Sequence, residues 1–176
     1  MNAAHFHLLV NHFPVVGAIL ALLLLALALG TRHAALTRAV LGLVVFVALA
    51  TIPATRSGHE AAEVVEHMQG YSEDRIEEHE ERAEKAAWAM WITGGFAFLG
   101  LLAGRGGRPV PRWAAAGTLV LLAAATGLIA WTAKAGGEIA HPETRPGFVA
   151  PAESGEGAGG HSRSHGDHAH GDEGEH

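Results

Sequence analysis

The sequence predicts an all-α fold: a bundle of four transmembrane helices, with helix 3 extended outside the membrane and a disordered His-rich C-terminal tail. Three observations carry this. Four long apolar runs, Phe13 to Gly30, Ala39 to Thr55, Ala86 to Gly104 and Trp113 to Ala133, contain no charged residue. Of the 176 residues, 49% are hydrophobic and only 17% charged, where a soluble domain carries about a quarter. The charges that do occur are confined to the connections and the ends of the chain.

Crossing about 30 Å of hydrocarbon takes roughly 20 apolar residues, with about 17 as the lower limit. Each run reaches or approaches that length. A soluble helix keeps a polar face because only one stripe of it is buried, and none of these runs has one. Helix 1 (13–30) follows a stretch, Met1 to His12, that has no Lys or Arg, so it is not expected to be a cleaved signal segment. The short connection Thr31 to Arg38 leads to helix 2 (39–55). From Ser57 to Lys85 the chain is rich in Glu and helix formers, broken at Gly70 and Tyr71. Ser72 followed by Glu73 and Asp74 reads as an N-cap with acids in the first turn. Helix 3 (73–104) therefore starts there, and its charged first part, Glu73 to Lys85, projects by roughly 20 Å. A second short connection, Arg105 to Arg112, leads to helix 4 (113–134). The membrane domain thus covers 1–143, and the tail 144–176, made of Gly, Pro, Ser, His and acid, is expected to be disordered.

Charge sets the orientation. Arg32 and Arg38 in one short connection, with Arg105, Arg108 and Arg112 in the other, give one face five cations and no acid. By the positive-inside rule that face is cytoplasmic. The other seven Lys/Arg and all 18 Asp/Glu lie opposite, which places both termini on the periplasmic side of a bacterial inner membrane. Trp88 and Trp131 fall in the outer aromatic belt and Trp113 in the inner one.

With no cysteine in the chain, a disulfide framework, a zinc ribbon, a thiol nucleophile, c-type haem attachment and cysteine-ligated clusters are excluded. A net charge of −6 without a basic stripe argues against nucleic-acid binding. Histidine is the remaining ligand type, and there are 13. His33 alone lies on the cytoplasmic side. Bundle-attached histidines on the outer side are His5, His7 and His12 before helix 1, His59 and His67 after helix 2, His79 on helix 3 and His141 after helix 4.

Of these, His12, His79, His59 and His141 are the candidate cofactor ligands, because they come from different helices near one membrane face. An unpartnered ring at His12, where the chain enters lipid, would be costly. Glu138 and His141 are spaced i, i+3, the Glu-x-x-His pattern of bundle metal sites. His59, Glu63 and His67 are spaced i, i+4, i+8 and align if helical. Imidazole with carboxylate suits Fe, Cu, Zn or Ni, and two facing imidazoles suit a b-type haem. The same spacings also suit interfacial polar residues bonded to loop carbonyls. In the tail, His161, His165, His168, His170 and His176 among Asp and Glu form a tract that either captures metal or only solubilises.

The segments HLLVNHFPVVG (7–17), SGHEAAEVVEHMQGYSEDRIEEHEE (57–81) and AGGEIAHPE (135–143) resemble a bacterial family of four-helix membrane proteins of uncharacterised function. The chain is also similar, more distantly, to a domain-of-unknown-function family with a V-H-F-P start and a G-G-x-x-x-x-H end, found beside Rieske and cytochrome proteins. Matching positions are Asn11, His12, Phe13 and Pro14, then Gly58, Glu63 and His79, then Gly136, Gly137, Glu138 and His141. The resemblance implies a redox neighbourhood. No nucleophile and base pair, phosphate loop or paired catalytic carboxylates stands out, so a stand-alone enzyme is not expected. What remains is a redox-associated membrane subunit with a haem b or metal site near the periplasmic face, serving quinol and a periplasmic or membrane redox protein. The alternative is a non-redox divalent-metal-binding or scaffold subunit.

Overall fold

The computed structural model describes residues 2–66, 71–145 and 147–149, and among these it is all-helical. Helix α1, Ala3–Val10, starts where the Asn2 side chain accepts the His5 N–H at 2.9 Å. Helix α2, His12–Gly30, follows almost directly. The break between them falls at Asn11 because Pro14 has no N–H for the Val10 carbonyl and its ring crowds that oxygen. Helix α3 is Ala34–Val65, capped by His33, whose Nδ1 accepts the Leu36 N–H at 3.1 Å. It runs on well past the end of its apolar run at Thr55, since the Ala- and Glu-rich stretch that follows favours helix as strongly as the apolar part does.

Helix α4, Glu73–Ala103, carries the charged stretch into the apolar one without interruption. Ser72 is its N-cap residue, with extended backbone, and Glu73 and Asp74 fill the first turn, although the serine side chain makes no capping bond. Helix α5, Arg112–Ala140, ends at His141 and leads into one 3-10 turn, Pro142–Thr144.

The interior is rich in small residues beside a few large ones, and the exterior carries many large apolar side chains. Ala18, Ala21, Ala97, Ala114 and Ala125 have no exposed surface, or almost none, while Phe13, Leu23, Leu99, Trp113 and Val120 are 60% or more exposed. In water that exterior would be a liability. In lipid it is the expected pattern, because small residues let helices approach while large ones face acyl chains. Four stretches, Ala3–Gly30, Ala34–Val65, Glu73–Ala103 and Arg112–Ala140, are long and apolar enough to cross a membrane. The chain is thus compatible with a multi-pass membrane protein.

Helix α2 packs against α3 and α5, α3 against α4, and α4 against α5, which closes a ring of four. Gly100 and Gly104 serve this packing within the chain: a Cβ on Gly100 would lie 3.1 Å from Ala114 Cβ, and one on Gly104 would lie 3.1 Å from Val110. Ala123 and Gly127 instead face outward. At the end that holds the five arginines, Arg38 Nη2 donates to Gly104 O at 2.5 Å and Arg108 O at 2.7 Å, tying α3 to the α4–α5 connection. The opposite end is different. There α1 replaces α2 and packs on α3, with no Cα within 8 Å of α4 or α5.

Candidate functional site

Two half-buried histidines at this end of the bundle have matching environments. His7, on α1, has its Nδ1 3.1 Å from Ala54 O and 3.2 Å from Ser57 Oγ of α3. His79, on α4, has its Nδ1 3.1 Å from Thr132 O of α5. A carbonyl oxygen can only accept, so Nδ1 carries the proton in both rings and the neutral tautomer leaves the Nε2 lone pair free. Each ring also lies on a glycine four residues beyond its acceptor carbonyl. A Cβ on Gly58 would come within 3.2 Å of His7 Cε1, and one on Gly136 within 3.0 Å of His79 Cε1. Glycine is what allows both imidazoles to lie against a helix backbone and reach a carbonyl already used in the helical ladder. Around them the buried side chains are small: Ala54, Ser57, Ala61, Ala62 and Ala135, with Ile76 the main exception. The largest fully buried side chains, from Leu25 to Met90 and Leu122, all lie in the apolar parts of the bundle.

Burial pushes the proton affinity of both rings below the ordinary histidine value, outweighing the carbonyl bonds that favour the charged form. For His79, a positive charge on His7 or on Arg82 would lower it further and Glu80 opposes this, so the two imidazoles lie within electrostatic reach of each other. The linkage has a definite sign. The unfolded chain takes up these protons near pH 6.5 and the folded chain only below it, so this stability is complete above about pH 6.5 and falls as pH drops from there toward the folded values. Thermal unfolding in detergent between pH 8 and 5 should show the midpoint falling in the acid half. In the double variant His7→Asn/His79→Asn, whose amide nitrogen takes the place of Nδ1, that slope should flatten; an unchanged slope would assign it to other groups.

The other sequence-predicted ligands are placed differently. His12 is exposed, with its Nδ1 2.7 Å from Leu8 O of its own chain segment. His59 is 63% exposed and bonds Glu80 Oε1 at 2.9 Å, linking α3 to α4. Glu63 is exposed on α3. Glu138 is mostly buried but faces Arg75 Nη1 at 3.2 Å and Lys134 Nζ at 3.8 Å, while its backbone carbonyl accepts from Arg145 Nε at 2.7 Å. His141 lies just past the helix, with φ −128° and ψ 78°, so the helical i, i+3 alignment with Glu138 is lost and its Nδ1 turns to Glu143 Oε1 at 3.1 Å. His67, His161, His165, His168, His170 and His176 lie outside the described residues. Among the described residues, no three His, Asp or Glu side chains converge as a metal-binding group. The structure brings together His79 and His7, and sequence spacing had given no reason to prefer His7 over His5 or His12. The available signal was Gly58 and Gly136, each marking where a helix leaves room for a ring.

Among the described residues, two polar atoms lack partners. Asn11 Oδ1 and Trp91 Nε1 are buried without a hydrogen bond. Asn11 is four residues beyond His7, on the same side of the α1 turn. Trp91 lines a lateral apolar groove of about 580 Å³ between α3 and α4, with Thr55 and Arg56 at one end and Gly94, Gly95 and Phe98 along it. No family model, curated protein or solved structure matches this chain.

Proposed function

We propose that this chain is a redox-associated subunit of a bacterial inner membrane, carrying a haem b or transition-metal ion at its histidine end, which faces the periplasm. The observation that carries the reading is the pair His7 and His79, each with Nδ1–H tied to a helix carbonyl. That arrangement fixes the tautomer and ring orientation and raises the basicity of Nε2, as outer-shell partners of ligating histidines do. Orientation rests on the five arginines of the opposite end, and the helix 3 extension, Glu73 to Lys85, then stands outside the bilayer. The resemblance to families found beside Rieske and cytochrome proteins agrees with this role.

Quinol is the proposed reductant, docking in the α3–α4 groove. Thr55 and Arg56 at one end of the groove offer donors to its oxygens. A haem or metal ion held by His7 and His79 would supply one-electron transfer between quinol and a periplasmic redox protein. A second reading, a non-redox divalent-metal or scaffold subunit, is favoured by the exposed pairs His59–Glu80 and His141–Glu143. One preparation decides. Full-length protein expressed with ample haem and metals should retain iron or copper and show a reducible absorption band. Retention of redox-inert metal alone would favour the second reading, and a cofactor-free protein would sink the first. Thiol labelling of Gly107→Cys from the cytoplasm and Glu81→Cys from the periplasm tests the orientation.

A further inference from the structure

We propose that the cavity at the arginine end of the bundle is a binding site for a phosphate group, held between the guanidinium groups of Arg32 and Arg112. It lies at the opposite end from His7 and His79 and is independent of the redox reading above.

The cavity has a volume of about 190 Å³ and sits where the two short connections meet. Its walls include Ala28 of α2, Val110 of the α4–α5 connection and Ala115 of α5, while Arg32, Ala34 and Arg112, all exposed, complete it. No acid is near in sequence, since residues 1–59 and 85–137 contain no Asp or Glu. Among the described residues, neither Arg32 nor Arg112 has an ion-pair partner. Arg38 differs, because its guanidinium is committed to the carbonyls of Gly104 and Arg108.

Both arginines stand where local structure disfavours them. Helix α2 closes with a pair of bonds, His33 N–H to Ala28 O at 2.9 Å and Arg32 N–H to Leu29 O at 3.3 Å. That closure needs one left-handed residue, and glycine is the usual choice. Here Arg32 takes the position with φ 55°, the only positive φ of a non-glycine among the described residues. A cation needed only to meet the negative end of α2 would serve as well at Thr31, which keeps ordinary helical backbone. Arg112 is the first residue of α5, whose first turn holds no acid. A cation is unfavourable there, because a helix start carries positive charge. Ala34, the first residue of α3, lines the same cavity, so a second positive helix end adjoins the arginines. An anion seated between them turns these repulsions into attractions. Guanidinium meets phosphate through two parallel N–H bonds, which makes phosphate the fitting anion. Two sources carry that group. An anionic phospholipid would lay its chains along exposed Leu27 and Trp113, neighbours of Ala28 and Arg112, as head groups do in basic pockets between membrane helices. A soluble phosphate ester presents the same group without chains.

The test uses the full chain in neutral detergent with three probes: phosphatidylglycerol, diacylglycerol with the same chains, and glycerol 1-phosphate. Wild type should bind one phosphatidylglycerol per chain, at least about 10-fold more tightly than diacylglycerol. Competition by glycerol 1-phosphate would make a soluble phosphate sufficient, and its failure to compete would assign the site to lipid; both support a phosphate site. Arg32→Gln and Arg112→Gln should each weaken binding by about 10-fold or more. Arg105→Gln removes the same charge outside the cavity and should leave binding within about 2-fold. Arg32→Gly guards against misfolding. It supplies the residue the turn prefers, so without lipid it should unfold at or above the wild-type temperature while losing lipid as Arg32→Gln does. Unchanged binding in Arg32→Gly or Arg112→Gln overturns the proposal. An equal loss in Arg105→Gln also overturns it, showing diffuse attraction to basic charge, as does wild type that holds diacylglycerol equally well or binds none of the three probes.

Discussion

Gly94→Ala is expected to weaken the bundle by about 3 kcal/mol, the upper end of what overpacking costs, and to lower the unfolding midpoint by roughly 6–12 °C. The reason is local. Gly94 is buried on α4 where it crosses α3, and a Cβ there would overlap the Cβ of Ala48. Neither atom sits at the end of a flexible side chain, so relief requires the two helices to separate. That separation would loosen Val44, Val47 and Met90, which pack in the same buried cluster. Exchanging the pair, Gly94→Ala with Ala48→Gly, moves the methyl to the other side of the contact and should recover most of the loss. A Gly94→Ala variant that unfolds with wild type would show that these helices do not approach as closely as described.

The contrast between what the sequence discloses and what it hides follows from two kinds of interaction. Apolar runs disclose helices long and apolar enough to cross hydrocarbon, and the all-helical architecture of the described residues follows them. They do not disclose where helices end, because Ala, Glu and Arg propagate a helix in water as well as Leu does in lipid. So α3 continues through Ser57, Gly58 and His59, whereas the start of α4 at Glu73 was legible in the Ser72 cap and the acids that follow it. Site residues are harder still. His12 attracts attention because a ring beside Phe13 and Pro14, at the start of an apolar run, would need a partner. The Leu8 carbonyl, one turn back, satisfies it at 2.7 Å. His7 becomes visible only once Pro14 interrupts the helix and α1 packs on α3, a tertiary event that no local spacing encodes. Glu138 shows the converse. Its i, i+3 relation to His141 is a valid helical pattern, but α5 stops at Ala140 and Arg75 of α4 pairs with the carboxylate.

Gly136→Ala should separate stability from function at the histidine end, raising one while lowering the other. In a helix, alanine is favoured over glycine by about 0.5–1 kcal/mol, so the fold should be unharmed or slightly more stable. The new methyl would meet His79 Cε1 at 3.0 Å and Nδ1 at 3.4 Å. Here the neighbour is the end of a side chain, and the ring can swing aside without moving either helix. Swinging aside breaks its 3.1 Å bond to Thr132 O and with it the orientation of Nε2. Loss of such an outer-shell partner typically costs 10–100-fold in affinity, and hemin binding should fall by about that factor. Gly58→Ala should act the same way on His7, more weakly, because its closest approach is 3.2 Å. Gly137→Ala is the matched control: it gains the same helix preference, and nothing lies within 4 Å of the added methyl. Its hemin affinity should equal that of wild type. Equal hemin affinity in Gly136→Ala and Gly137→Ala would mean that the ring against Gly136 has no part in holding a cofactor, and His79 would then be a core histidine satisfied by a carbonyl.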